Sequence, residues 1–267
     1  MNRKYKNYFF YLTFLITVLS FGACESVINL NLKDAKPAIV IEANVTDRAE
    51  PQIVFISQTK PFNQNNTINP VSQAVVTVFD EDGNQHQFFE TIPGKYVSAS
   101  FAGVSGKKYT IQVKVEGTLY TASSLMPQKV LLDSLSLTEL SFFNDTKKYV
   151  QVHFNDPVAE ANQYNYVLYV NDEIRNAYYV DNDRFNDGKN VTNTIFNSDP
   201  ALKKGDSVTV DFQCIDEPIY RYFFTLSQIA GNGGPPTAPA NPDSNFDNGA
   251  LGYFSAHTSQ KKSNIIP

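Results

Sequence analysis

YTIQVKV, residues 109–115, is the stretch that decides the fold. Apolar and polar side chains alternate along it with a period of two, which is typical of a strand that buries one face and wets the other. About seven such segments, spaced regularly, predict an antiparallel β-sandwich over residues 37–127. The other six segments are Ala38–Val45, Gln52–Gln58, Ala74–Phe79, His86–Glu90, Lys95–Ser100 and Thr118–Ala122.

The acidic stretch DEDGN, residues 80–84, joins two of these strands. Asp-Gly between strand-like runs is a strong hairpin signal. A cation site is the alternative, but the stretch lacks the alternating oxygen ligands of a calcium loop. We therefore interpret it as a hairpin turn.

Residues 128–267 predict a second β-domain, with Met126-Pro127 as the boundary. Asp216 as N-cap and Pro218 in the first turn predict a helix near 217–229. Its apolar residues recur at helical spacing on one face. After Gly231 the chain is an irregular tail rich in Pro, Gly and Asn, with a closing strand near 248–256. The strand-like segments of this half are Leu131–Leu140, Lys148–Phe154, Asn165–Val170, Tyr178–Val180 and Ser207–Gln213.

The fold class predicted is therefore all-β. It consists of two tandem antiparallel β-sandwich domains, immunoglobulin-like or prealbumin-like, with one short helix in the second. They follow a cleaved lipoprotein signal peptide.

Residues 1–23 have the layout of an export signal, with a basic start, an apolar run and a small pair at the end. The apolar run Tyr8–Phe21 is shorter than the roughly 20 residues of a membrane-spanning helix. A permanent transmembrane anchor is the weaker alternative.

The signal ends in LSFGAC, residues 19–24, which resembles the lipobox of bacterial lipoproteins with Phe21 where Leu is usual. The resemblance implies cleavage before Cys24 and acylation of its thiol. A plain secretory signal that precedes a cysteine is the alternative. A mature lipoprotein carries at least two acyl chains, which suffice for stable anchoring. We therefore expect Cys24 to attach the protein to a lipid bilayer, with residues 24–36 as the lipidated cysteine and tether.

Charge and cysteine content narrow the function classes. Of 22 basic residues three lie in the signal, which leaves 19 against 27 acidic residues and a formal net charge of −8 for the mature chain. Such a chain lacks the basic footprint of a nucleic-acid-binding protein. With Cys24 acylated, Cys214 has no disulfide partner within the chain, and its strand-like surroundings predict a small buried residue.

No catalytic motif, cofactor site or metal site is recognisable. His86, His153 and His257 are far apart in sequence, and no nucleophile elbow, zinc signature or dinucleotide fingerprint occurs. Asp181–Asp187 contains several carboxylates, but Phe185 stands where a calcium loop needs an oxygen ligand. An acidic loop is the preferred interpretation, and cation binding there is left open. We expect a protein that is not an enzyme and has no cofactor.

Several stretches together resemble the Bacteroidota lipoproteins grouped as domain of unknown function 4249. That resemblance implies an envelope lipoprotein without assigned activity, of a kind frequently associated with TonB-dependent outer-membrane transporters. The matching stretches are the lipobox with Cys24, Pro37–Ala43, Asp156–Tyr166, Ile219–Phe223 and Asn241–Phe254.

These observations lead to the expectation of a non-enzymatic outer-membrane lipoprotein. It would bind a ligand or partner as an accessory to a TonB-dependent nutrient transporter. The alternatives are a structural or adhesive envelope module and, more remotely, a hydrolase with a dispersed site. A Ser-His or His-Asp pair meeting in one concave pocket would favour the hydrolase. Surface and periplasmic orientations are both left open.

Overall fold

Strands dominate the computed structural model, which describes residues 37–60, 67–142, 145–175, 177–196, 200–229 and 241–267. The predicted export signal, Cys24 and the tether lie outside these residues. In the first half the strands are β1 (Ile39–Thr46), β2 (Glu50–Gln58), β3 (Asn69–Pro70), β4 (Val75–Asp80), β5 (Gln85–Ile92), β6 (Lys95–Phe101), β7 (Lys108–Val115) and β8 (Thr118–Leu125). In the second half they are β9 (Leu132–Phe142), β10 (Asp145–Asn155), β11 (Gln163–Val170), β12 (Glu173–Ile174), β13 (Tyr179–Asn182), β14 (Asn190–Ile195), β15 (Ser207–Ile215) and β16 (Leu251–Ile265).

The prediction of an all-β, sandwich-like fold with one helix is confirmed. All seven strands expected before residue 127 are present, and the helix α1 (Glu217–Ile229) has the predicted limits. A short 3₁₀ turn, Asp183–Phe185, is the other helical element in the described residues. No helix in this part of the chain has the length and apolarity needed to span a bilayer.

One long sheet runs through both halves of the chain, in the order β12-β11-β15-β16-β1-β2-β6-β5-β4-β7-β8. Its neighbours are antiparallel except β16 and β1, which are parallel and pair from Val40 with Leu251 to Thr46 with His257. Strand β8 returns beside β16, where Ala256 N–H donates to Ser124 Oγ over 2.9 Å. The first half of the sheet therefore closes around a core of its own.

A second sheet, in the order β14-β10-β9, packs on the other end of the long one. Three fully buried rings form the centre of that interface. Phe154 of β10 has its ring centroid 4.7 Å from that of Tyr164 and 4.9 Å from that of Phe212. Aromatic burial at this density is a major source of stability, at about 1.5–3 kcal/mol for each side chain.

The described residues form two hydrophobic cores, which divide the chain between Met126 and Val130 except at the C-terminal strand. Met126 belongs to the first core and Val130 to the second. Phe254 and Ala256 of β16 also lie in the first core, although they come from the far end of the chain. The first core is thus not complete within residues 37–127, and residues 36–267 form one compact unit.

The expectation of an irregular tail is wrong beyond Ala256, because β16 continues as a strand to Ile265. Its second half contains mostly polar residues, so no apolar alternation marks it. Pairing with β15, from Cys214 with Thr258 to Ser207 with Ile265, supplies the backbone hydrogen bonds that hold it in the sheet.

Helix α1 is fixed at its start by Asp216, as its cap position predicts. Asp216 Oδ1 accepts from Ile219 N–H over 3.3 Å, and its carbonyl accepts from Tyr220 N–H. The other carboxylate oxygen accepts from Ser124 Oγ and Leu125 N–H of β8. One side chain therefore caps the helix and ties it to the first half of the sheet.

Candidate binding groove

A groove of about 360 Å³ lies on the outer face of the long sheet, where β11, β15, β16 and β1 run side by side. Because side chains alternate across a sheet, the residues that line it are those between the core positions. On β16 the buried Phe254 and Ala256 face the core, and Ser255 and His257 line the groove. The volume is at the small end of the range for small-molecule sites, about 300–1,000 Å³.

The floor of the groove is a row of polar side chains from adjacent strands. Asn165 of β11 pairs with Gln213 of β15, which pairs with Ser259 of β16. Asn165 Nδ2 donates to Gln213 Oε1 over 2.7 Å, and Gln213 Nε2 donates to Asp211 Oδ2 over 3.2 Å. Ser259 Oγ donates to Asp211 Oδ1 over 2.7 Å. These bonds hold each side chain in one orientation before any ligand arrives.

This floor is unusually buried for a polar surface. Asn165 and Asp211 are each 6 % exposed, and Ser255, His257 and Ser259 are 5 % exposed or less. Burying polar groups is costly unless they are hydrogen-bonded, and the network provides those bonds. At this depth, water would compete little with a ligand for hydrogen bonds to these groups.

Aromatic rings form a wall at one end of the groove. Tyr178 stacks on Phe223 of α1 with 5.9 Å between ring centroids, and Phe223 meets Tyr253 of β16 edge-on at 4.9 Å. Tyr222 packs behind Tyr253 at 5.2 Å. The helix, set in place by Asp216, thus brings its aromatic face over the polar floor.

Charges of both signs lie around the groove. Lys261 Nζ sits 5.2 Å from the ring centroid of Tyr169, and Arg175 lines the same cleft with its Nε buried and without a hydrogen-bond partner among the described residues. Asp211 and Glu50 provide carboxylates. The groove is therefore polar and close to balanced in charge.

The groove also brings together a serine, a histidine and an aspartate. Ser255 Oγ and His257 Nδ1 are hydrogen-bonded over 2.9 Å. Burial lowers the pKa of His257, and the charges of Asp211 and Asp47 oppose that shift only in part. The imidazole is thus neutral near pH 7, as a general base must be.

Two features separate this arrangement from a catalytic triad. Asp211 is bonded to Ser259 and Gln213, and no bond from it to His257 fixes the imidazole as a triad aspartate does. The N–H after Ser255, that of Ala256, donates to Ser124 Oγ and so is not available to an oxyanion. The geometry suits hydrogen bonding to a ligand better than acyl transfer.

The other residues considered from sequence lie elsewhere in the described chain. His86 stacks on Phe101 with 3.7 Å between ring centroids, and His153 bonds Ser136 and Thr192 on the second sheet. Cys214 is 1 % exposed, and burial raises the pKa of its thiol. The predicted small buried cysteine is confirmed.

The carboxylates of both acidic loops accept hydrogen bonds from backbone N–H groups. Asp80 accepts from the N–H groups of Asp82 and Asn84, so the predicted hairpin turn is confirmed. In the second loop Asp183 accepts from Asn162 N–H over 2.7 Å and Asp187 from Ala159 N–H over 2.7 Å. Within the described ranges no cluster of three potential metal ligands occurs.

The groove residues are not recognisable in the sequence, because each resembles an ordinary outward-facing strand residue. Asp211 lies within an alternating strand, and His257 and Ser259 lie in a stretch expected to be the tail. The one detectable signal is the alternation of Tyr253, Ser255, His257 and Ser259 with small or apolar residues. What the sequence alone does not reveal is that β11, β15 and β16 are neighbours.

Comparison with known proteins gives one family. Residues 25–263 match the family described as "Domain of unknown function (DUF4249)". No curated protein matches the chain. Among solved structures, a two-domain fibronectin type-III segment of chicken tenascin is similar at 12 % identity, over 67 % of this chain and 90 % of that one, with a TM-score of 0.22.

Proposed function

The chain belongs to the family described as domain of unknown function DUF4249. From this membership and the groove, we propose that it is a non-enzymatic outer-membrane lipoprotein that binds a ligand in the groove. Acylated Cys24 would hold it to the bilayer. It would act as an accessory to a TonB-dependent nutrient transporter, in the manner of a Bacteroidota envelope lipoprotein.

The observation that carries the binding role is the preorganised polar floor beneath an aromatic wall. Ligand sites combine apolar contact area with a few fixed polar groups that determine orientation. Here Asn165, Gln213 and Asp211 hold one another in place, and Tyr178, Phe223 and Tyr253 provide contact area. The anchor and the transporter rest on the resemblance of residues 19–24 to a lipobox and on the family resemblance.

Membrane fractionation and co-purification test the proposal. Full-length protein is expressed in its own host, extracted from membranes in mild detergent and analysed by mass spectrometry. We expect a TonB-dependent transporter to co-purify, and we expect Cys24→Ser to move the protein to the soluble fraction. The matched control is Cys214→Ser, which leaves the lipobox intact. Elution without a transporter, or membrane retention of Cys24→Ser, would count against the proposal.

A hydrolase is the second candidate, favoured by the bonded pair of Ser255 and His257 in a concave site. Turnover of p-nitrophenyl acetate by the full-length protein distinguishes the two. We expect the same background rate from the wild type and from Ser255→Ala. A rate that falls at least about a hundredfold in Ser255→Ala would favour the hydrolase, since nucleophile loss has effects of that size or larger.

A further inference from the structure

We propose that the groove binds a neutral saccharide. This inference rests on the proposed ligand-binding function, which does not specify the chemical class of the ligand. The aromatic wall and the hydrogen-bonding side chains of the floor point to it together.

The wall offers what the C–H face of a sugar ring packs against. Tyr178 and Phe223 stack nearly parallel, with 25° between their planes, and Tyr178 is 38 % exposed. A pyranose has an apolar face of C–H groups and hydroxyls around its edge, so it can stack on an aromatic ring and still offer the hydroxyls to polar partners. Tyrosine suits such a wall because its ring provides rigid contact area and its hydroxyl can bond a polar partner.

The floor offers hydrogen-bond donors and acceptors to the hydroxyls of a sugar. An amide nitrogen carries two hydrogens, and the bonds within the floor use one from Asn165 and one from Gln213. Each of these amides thus keeps a hydrogen for a ligand oxygen among the described contacts. Asp211 accepts one bond at each oxygen, and each oxygen has a second lone pair for a hydroxyl donor. The floor therefore offers both donors and acceptors, as the hydroxyls of a sugar require.

Arg175 lines the groove and carries one buried nitrogen that has no acceptor among the described residues. That nitrogen is Nε, which is shielded from solvent. A buried donor without an acceptor costs about 1–3 kcal/mol, and a rotation of the side chain that brings Nε to a ligand oxygen would remove that cost.

Other ligand classes fit less well. An extended peptide binds most readily at a free sheet edge, and this groove crosses the face of paired strands, with β16 bonded on both sides. An anionic ligand would meet Asp211 and Glu50 as well as Arg175 and Lys261. An acyl chain would leave the remaining amide hydrogens and carboxylate lone pairs of the floor without hydrogen-bond partners. A neutral polyhydroxylated ligand satisfies the floor and the wall together.

The experiment probes full-length detergent-solubilised protein on an array of neutral oligosaccharides, uronic-acid oligosaccharides and short peptides. The best neutral trisaccharide is then titrated by calorimetry. The chain has 15 Tyr and no Trp, so tyrosine fluorescence provides a second readout, and its loss in Tyr178→Ala assigns the change to the wall. We expect binding of a neutral oligosaccharide, weakened at least about tenfold by Tyr178→Ala and by Asp211→Asn.

Matched controls separate loss of the site from loss of the fold. Phe89→Ala removes an aromatic ring that is 65 % exposed outside the groove, and Asp133→Asn changes an exposed carboxylate on the other sheet. We expect both to bind as the wild type does. Asp211→Asn keeps the shape of the side chain, and an unchanged unfolding midpoint shows that an effect on affinity is local.

The outcomes are distinguishable from those of the proposed function. Failure of every neutral oligosaccharide, preference for uronic-acid ligands or peptides, or binding unchanged in both groove variants would overturn the saccharide inference. If the transporter co-purified with the wild type but not with Tyr178→Ala, the accessory function would stand without saccharide binding. Saccharide binding without a transporter would support this inference and count against the accessory role.

Discussion

Gly252 of β16 pairs with Ile41 of β1, and its backbone φ is +90°. A Cβ at this position would overlap the carbonyl oxygen of Ile41, a backbone atom that the parallel pairing holds in place. Left-handed φ values favour glycine, and here the missing side chain also makes room for the neighbouring strand.

We therefore expect Gly252→Ala to lower the free energy of unfolding by about 3 kcal/mol or more, measured by urea denaturation. Gly117→Ala is the matched control, because Gly117 has φ +86° and a Cβ there would meet only open space within 4 Å. Gly117→Ala should lower the free energy of unfolding only by the backbone strain, about 1 kcal/mol. Equal losses in the two variants would show that the close approach does not matter.

His257 gives a residue-scale prediction about pH. Burial lowers the pKa of its imidazole, so the unfolded chain binds the proton more tightly than the folded chain. Its contribution to stability is complete above its ordinary pKa of about 6.5 and is lost as the pH falls below that value. We expect the wild type to lose about 1 kcal/mol more than His257→Gln between about pH 7.5 and about pH 5.5 in urea titrations.

Some buried carboxylates stabilise the folded chain as the pH falls, which is opposite to His257. The effect of His257 is therefore measured as a difference between the wild type and His257→Gln. Burial raises the pKa of Asp156 and of Asp216, so acid favours their folded, protonated forms. The difference between wild type and His257→Gln removes these shared contributions. A wild-type dependence in His257→Gln would contradict the prediction.

At the scale of the element, helix α1 depends on one carboxylate that serves three donors. Asp216→Ala would remove the cap on Ile219 and leave Ser124 Oγ and Leu125 N–H without their acceptor. We expect a loss of about 2–3 kcal/mol in the free energy of unfolding, from the lost cap and the unpaired donors.

The neighbouring carboxylate provides the control for Asp216. Glu217 pairs on the surface with Arg221 at 2.6 Å, and Glu217→Ala should change stability by no more than about 0.5 kcal/mol. Guanidinium or thermal melts of the three proteins check this. Similar melts for Asp216→Ala and Glu217→Ala would mean that Asp216 does not tie the helix to β8.

Elements differ in how well the sequence predicts them, and the reason is where their polar residues lie. Tyr109–Val115 alternates cleanly because one face is core and the other is solvent. Residues 257–265 do not, because their outward face is the polar groove and their inward face includes Gln260. Gln260 bonds Val130 O over 2.6 Å and Leu132 N–H over 3.2 Å, so it links the two sheets. A polar residue with that task looks like a loop residue in sequence.

The groove could not be predicted, because its residues meet only through strand order. Asn165, Asp211 and Ser259 are separated along the chain by tens of residues, and their polar types are ordinary for outward-facing strand positions. Their proximity follows from the placement of β15 between β11 and β16. Strand order depends on long-range pairing, which a local pattern does not encode.

At the scale of the whole molecule, β16 makes the two halves of the chain interdependent. Its parallel pairing with β1 brings Phe254 and Ala256 into the first core. Phe246 and Ala250, which precede the strand, join the same core. The first sandwich is therefore assembled from both ends of the chain.

A protein that ends at residue 127 should consequently fail to fold. Without β16 the inner edge of β1 is unpaired and the first core lacks two rings, Phe246 and Phe254, that are each worth about 1.5–3 kcal/mol when buried. We expect residues 25–127 to show no cooperative unfolding by circular dichroism. A chain in which residues 241–267 follow residue 127 through a flexible linker should regain it, because the missing strand is then supplied. Cooperative unfolding of residues 25–127 alone would show that the first half is an independent domain, and the C-terminal strand would then be an addition to it.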